Sequence, residues 1–202
     1  MKILLGIGNP GFRYKNNRHN AGFLFLDFYA KSKAISYKAG KGDYYSAEGV
    51  LEEERFCLIK PVVFVNNSGI AAKQALDFYH SNVNDLLVIV DDINLPFPAF
   101  RVRKSGGDGG HNGMKSIICH LESDQFPRIR IGIRTIDVDT IFLSDFVLTD
   151  FTRTEKITLK STFNKITVLA DEFIRGGVEA MMNENSRLHQ NEIKNNPKGN
   201  QE

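Results

Sequence analysis

LLVIVD, residues 86–91, is an unbroken run of five apolar side chains closed by an acid. A strand with one face in water alternates apolar and polar residues, because successive side chains point to opposite faces. A run without alternation belongs to a strand covered on both faces, as in the parallel sheets of α/β proteins. Asp91 then falls at the carboxyl end of that strand, where open α/β sheets bind their ligands. This stretch therefore sets both the fold class and the place to look for a site.

Working outward, residues 2–8 read as a buried strand, and AGFLFLDFYAKSK, residues 21–33, as a helix apolar nearly all round. Asp27 and Lys31 are an i,i+4 pair in the favourable order. Residues 43–51 and 55–60 read as strands, the second ending at Pro61. Asn66-Asn67-Ser68 is expected to cap a helix from Gly69 to His80. A strand at 99–104, a glycine-rich loop at 105–113, a helix at 113–122 and the strand RIRIGIR at 128–134 follow. Residues 142–148 read as a short strand. Residues 152–175 form an amphipathic helix with Ile157, Phe163, Ile166, Leu169 and Phe173 on one face, interrupted at Gly176-Gly177 and followed by a shorter helix. This alternation predicts one α/β domain over residues 1–188: a three-layer sandwich, its twisted mixed sheet largely parallel, with helices on both faces. Residues 189–202 are polar and without aromatics, and are expected to be a disordered tail.

The chain has 202 residues, 42% of them hydrophobic, and a net charge of +2. That length suits one large domain. No apolar run approaches the length of a membrane span. The start of the chain is too short in apolar residues for a signal peptide and is not a transit peptide, so a cytoplasmic protein is expected. Cys57 and Cys119 lie in no C-x-x-C pair and among apolar neighbours, and read as buried thiols rather than metal or redox ligands.

GIGNPGFRYKNNRHNAG, residues 6–22, contains the glycine spacing of a dinucleotide-binding fingerprint at Gly6, Gly8 and Gly11. That motif needs its third glycine at a helix N-terminus and an acid at the end of the next strand. Here Pro10 intervenes, the first helix starts near Asn20 or Ala21, and the nearest acid, Asp27, is inside that helix. No nucleotide cofactor is expected from this loop. A glycine turn that lets the chain leave a strand accounts for the glycines but not for the histidine, His19, that follows.

Each strand end brings polar residues: Asn9 and then His19 after the first, Asn66 and Asn67 after FCLIK, Asp91-Asp92 after LLVIV, His111 and Asn112 at the start of a helix. No G-x-S-x-G elbow and no H-E-x-x-H pair is present. A histidine backed by a carboxylate serves as a general base for water. Amide N–H groups hold a carbonyl and the oxyanion that forms from it. This set describes a metal-free hydrolase of an activated acyl group such as an ester. Arg101 and Arg103 alternate with Val102, and Arg128, Arg130 and Arg134 alternate with isoleucines. Together with Lys104, Lys115, Arg13, Lys15 and Arg18 they suggest a phosphate-backbone track read by shape.

The pattern G-x-G-N-P-G-x-x-Y-x-x-x-R-H-N-x-G at 6–22 resembles the opening signature of bacterial-type peptidyl-tRNA hydrolases. The same holds for F-x-N-x-S-G at 64–69, D-x-x-x-L-P at 91–96, S-G-G-x-G-G-H-N-G-x-x-S-I at 105–117, RIRIGI at 128–133 and DFVL at 145–148. The resemblance covers most of the chain to about residue 190. It implies an esterase that frees tRNA from peptidyl-tRNA, monomeric, without metal or other cofactor. By the same resemblance His19 is the catalytic base and Asp91 the carboxylate that orients it. Asn9, Asn66 and Asn112 hold the peptide and the reacting centre, and Tyr14 contacts substrate. Arg101, Arg103 and Lys104 fall near positions where relatives carry cations for tRNA, and His111 is assigned a structural role in the glycine loop. The chain departs from the pattern at Asn17 (commonly Thr), Val65 (usually Met), Asn94 (often a second acid) and Asp108, an acid in the glycine loop. The alternative is a non-catalytic RNA-splicing cofactor, as in some plant-organelle relatives, for which a targeting segment and an apolar docking surface are expected.

Overall fold

The computed structural model describes residues 1–135 and 142–195. Its strands are β1 (Lys2–Gly6), β2 (Lys38–Ala39), β3 (Tyr44–Leu51), β4 (Glu54–Pro61), β5 (Leu86–Pro96), β6 (Phe100–Arg103) and β7 (Arg128–Arg134). Its helices are α1 (Ala21–Ser32), α2 (Ser68–Phe78), α3 (Asn112–Leu121), the single turn α4 (Leu143–Phe146) and α5 (Arg153–Asn195). The strands make one sheet in the order β2-β3-β4-β1-β5-β7-β6. The four central strands β4, β1, β5 and β7 run parallel; β3 and β6 pair antiparallel against them, and the short β2 pairs antiparallel with β3.

The apolar run behaves as its lack of alternation requires. Leu87 and Ile89 join one core with Leu4, Phe25, Tyr29, Phe163, Ile166 and Phe173, under α1 and α5. Leu86, Val88 and Val90 join another with Ile3, Ile59, Ala71, Ala75, Met114 and Ile117, under α2 and α3. Three layers result, as the sequence predicts. The chain moves from β1 to β4 on one side and returns past β1 to β5 on the other. The carboxyl ends of β1 and β5 thus flank the point where the winding reverses, the usual ligand crevice of such sheets.

Glycine lets α1 sink onto this point. A Cβ on Gly22 would collide with the carbonyl oxygen of Ile89 and lie 2.7 Å from Ile7 N. A Cβ on Gly6 would lie 2.7 Å from Gly22 O, and one on Gly8 2.7 Å from the Phe23 ring. Two glycines of the false fingerprint are therefore spacers for α1 packing. Gly11, at φ +103°, is the one that needs a left-handed backbone.

Several local expectations are corrected. Residues 143–146 are a helical turn, not a strand. Phe146 N and Val147 N bond to Phe142 O and Leu143 O, the i→i−4 pattern of a helical turn. Asp27 reaches Lys60 at 2.8 Å across to β4 rather than Lys31. Asn67 occupies the cap position of α2 without a side-chain bond. Ile157 is exposed, whereas Phe163, Ile166, Leu169 and Phe173 are buried. Gly177, at φ 71°, interrupts α5 as expected, but the helix then continues to Asn195, beyond residue 189 where the tail was placed. Residues 196–202 lie outside the described residues. Cys57 is buried, which pushes its thiol up to about 12, while Cys119 is exposed.

Because the contact of Gly22 is with rigid backbone, Gly22→Ala is expected to cost roughly 1–3 kcal/mol in urea unfolding, the range of an overpacked core. Gly107→Ala, with open space around it, should change stability by less than about 0.5 kcal/mol.

Candidate active site

The loop after β1 runs through two 3₁₀ turns, Phe12–Tyr14 and Arg18–Asn20, before α1 begins. The second turn carries His19 over Asp91, which stands midway along β5 and not at the strand end that the sequence predicts. Its Nδ1 lies 3.0 Å from both carboxylate oxygens of Asp91. His111 Nε2 lies 3.0 Å from Asp91 Oδ1, so both imidazoles bond the same carboxylate. His111 is also the N-cap of α3: its Nδ1 accepts from Gly113 N at 3.1 Å and Met114 N at 3.3 Å. An acceptor nitrogen carries no proton, so His111 holds its proton on Nε2 and donates it to Asp91. The two imidazoles are direct neighbours that converge on one carboxylate, ring centres 4.9 Å apart and tilted by 45°.

Asp91 is 2% exposed. Burial pushes its carboxyl up, but His19 and His111 pull harder and hold it well below the usual carboxylate range. Burial alone would lower His19; the charge of Asp91 and its hydrogen bond outweigh this and raise it above the ordinary histidine value. Among the described residues nothing bonds His19 Nε2, the nitrogen turned away from Asp91. That is the arrangement of a general base.

A cavity of about 230 Å³ opens beside this pair, lined by His19, Asp91, Asn94, His111, Asn112 and Val147, among others. Asn112 stands in the first turn of α3, at its positive end. Asn9 lies behind the histidine turn. Its N–H donates to Asn20 Oδ1 at 2.8 Å and its carbonyl accepts from Asn20 Nδ2 at 3.0 Å. Asn9 Oδ1 accepts from Val65 N at 3.0 Å, so its amide is held with Nδ2 as the donor left over. Asn66, next to Val65, is exposed, and Tyr14 meets Phe64 edge-on at 6.3 Å. The predicted residues are therefore joined one to the next: Tyr14 on Phe64, Asn66 beside Val65, Val65 on Asn9, Asn9 on Asn20, Asn20 beside His19.

The basic residues divide. Arg101 and Arg103 are exposed on β6 and make no ion pair among the described residues. Lys104 is exposed but bonded to Glu179 at 2.6 Å. Arg128 and Arg130 of β7 do not continue that track. Arg128 is 1% exposed, and its guanidinium bonds the carbonyls of Asp124, Phe126, Gly106 and Gly107. Burial, with Arg130 nearby, pushes it down to about 10. Arg130 reaches Asp92 at 3.2 Å and the carbonyls of Gly107 and Asp108. These two arginines brace the glycine loop. Arg18 is likewise buried, bonded to Thr149 and Glu155. Period-two spacing reports a shared face and not whether that face is wet.

Sequence reading missed Asn20 and the donor role of His111; both stand inside the quoted motifs. It also missed a candidate ligand group: one nitrogen each of His19 and His111 and an oxygen of Asp91 lie within 4.8 Å of one another. Any cation there would have to displace both imidazole protons that face Asp91.

A model of the family described as Peptidyl-tRNA hydrolase matches residues 3–195. The chain belongs to the peptidyl-tRNA hydrolase family. A peptidyl-tRNA hydrolase of Chlorobium luteolum is 40% identical over 183 residues, covering 91% of this chain and 96% of the relative. One of Exiguobacterium sibiricum is 39% identical over 91% of this chain and 98% of the relative. The crystal structure of peptidyl-tRNA hydrolase from Acinetobacter baumannii superposes with a TM-score of 0.82 at 28% identity, covering 91% of this chain and 93% of that one. In this family member no helix of the described residues is long and apolar enough to cross a membrane.

The sign of the His19 shift gives a test. Followed by NMR, His19 should titrate above about 6.5, and Asp91→Asn should move it down. The raised value contributes stability that is full below the unfolded value and lost as pH rises through the folded one. The depressed Asp91 contributes stability above its unfolded value that is lost on acidification. Asp91→Asn should therefore flatten the pH dependence of unfolding on both counts.

Proposed function

We propose that this peptidyl-tRNA hydrolase cleaves the ester between peptide and tRNA with a water molecule deprotonated by His19 Nε2. The observation that carries this reading is the His19–Asp91 contact: the carboxylate fixes the proton of the neutral imidazole on Nδ1 and leaves Nε2 basic. Water attacks the ester carbonyl and passes its proton to Nε2. The imidazolium then forms against the buried carboxylate, which stabilises it. The developing oxyanion takes hydrogen bonds from side-chain amides, for which Asn9 Nδ2 and Asn112 are the candidates. Asn66 and Tyr14 hold the peptide. The tetrahedral intermediate collapses, the terminal ribose hydroxyl leaves, and Nε2 returns the proton to it. Arg101 and Arg103 give the tRNA backbone a pair of exposed cations. Lys104 joins them by exchanging Glu179 for phosphate. The enzyme works as a cytoplasmic monomer.

The decisive assay is cleavage of an N-acetylated aminoacyl-tRNA, with an unblocked aminoacyl-tRNA alongside. The blocked substrate alone should be cleaved, and His19→Ala should abolish it. A folded wild type that binds tRNA without cleaving it would move the chain to the RNA-binding cofactor reading. Asp91→Asn turns an amide N–H toward Nδ1 and forces the proton onto Nε2. Turnover should fall roughly 10²–10⁴-fold with little change in KM. Replacing Arg101 and Arg103 by Ala should weaken tRNA binding and reduce its salt slope by about one for each arginine removed. An unaltered slope would exclude β6 from the tRNA interface.

A further inference from the structure

The turn that carries His19 is not held by the sheet alone. A strap, residues 146–151, runs beside it and is bonded to it along its length. His19 N donates to Val147 O at 2.8 Å, Arg18 N to Thr149 O at 2.9 Å, and Phe151 N to Asn16 O at 3.0 Å. Asn17 and Asp150 form an isolated antiparallel bridge. The side chain of Arg18 closes the assembly. Its Nε donates to Thr149 Oγ1 at 3.1 Å, and Nη2 pairs with Glu155 Oε1 at 2.9 Å. The guanidinium lies over Phe146 and Phe151, 4.8 and 5.1 Å from their ring centres. Arg18 is 5% exposed, and its Nη1 has no hydrogen-bond partner among the described residues.

Glu155 is committed twice. It accepts from Thr152 N at 2.7 Å, and its own N–H donates to Thr152 Oγ1 at 3.2 Å, the reciprocal box that starts α5. One carboxylate therefore joins the start of α5 to the catalytic turn. A buried ion pair is costly and a poor source of net stability. Apolar side chains between Phe146 and Phe151 would fill the same space more cheaply. What an apolar filling cannot supply is a directed bond on both sides of the strap.

We propose that Arg18, anchored by Glu155, is a positioning residue for the hydrolysis: it fixes the strap so that the Val147 carbonyl holds the His19 turn in line with Asp91. Arg18 touches no reacting atom. It acts on the aim of the imidazole, where an error of about 1 Å costs on the order of 10²-fold.

Arg18→Lys keeps the charge and loses the fork. Its kcat on N-acetylated aminoacyl-tRNA should fall about 10²-fold, with KM within about twofold of wild type. The low-field NMR signal of His19 Nδ1–H against Asp91 should broaden or disappear. Glu155→Gln should give a smaller loss of the same kind. The paired variant Arg18→Met with Glu155→Met separates aim from folding. It should unfold near the wild-type midpoint and still turn over slowly, with the altered His19 signal. Wild-type kcat in that folded pair, a loss confined to KM, or an unchanged His19 signal would each overturn the proposal. The inference rests on His19 being the base. The NMR signal is read without substrate, so failure of that reading, seen as cleavage surviving His19→Ala, is distinguishable from failure of this one.

Discussion

A buried carboxylate that must stay charged governs this molecule. Asp91 stands midway along β5, just past the last residue paired with β1, almost without solvent. An unpaired charge there would be expensive enough to protonate. Two imidazoles, one from the loop after β1 and one from the cap of α3, remove that option. Each is itself fixed elsewhere: His111 by the backbone of α3, His19 by the strap. The cost of the charge is met only when three segments distant in sequence are all in place, so the fold and the site are assembled by the same contacts.

Close approach is the second condition. His19 can reach Asp91 because α1 lies on the sheet at Gly22 with no side chain between them. The glycines of the first motif serve this packing, and the glycines of 105–113 let a loop pass over β7 where Arg128 and Arg130 grip its carbonyls. The first loop has the glycine spacing of a phosphate cradle, and the second is as rich in glycine. Their glycine positions answer instead to helix packing and to a loop held from beneath.

The sheet and its helices were legible because each depended on periodicity within one segment: LLVIVD and AGFLFLDFYAKSK carry their burial in their own spacing, and RIRIGIR carries its strand but not the burial of Arg128. His19, Asp91 and the asparagines were legible as residues at strand ends, and their roles came from the resemblance of whole motifs. What stayed hidden depended on partners far away in the chain. The burial of Arg18 needs Glu155, the bracing role of Arg128 needs the carbonyls of residues 106 and 107, and the preference of Asp27 for Lys60 over Lys31 needs β4 beside α1. The single turn at 143–146 was misread because four apolar-polar letters carry neither period.

The Glu155 carboxylate sets an order of events. The histidine turn is made early, at residues 18–20, and its anchor comes from the first turn of the last helix. On a ribosome that emits the chain from its N-terminus, Arg18 lacks the Glu155 counter-charge until residue 155 has emerged, and Phe25 and Tyr29 lack the part of their cover that residues 163 to 173 supply. Throughout that time the growing chain is itself a peptide esterified to tRNA, the linkage its finished form cuts. An enzyme aimed by the first turn of α5 is slowed until that turn has emerged and met Arg18.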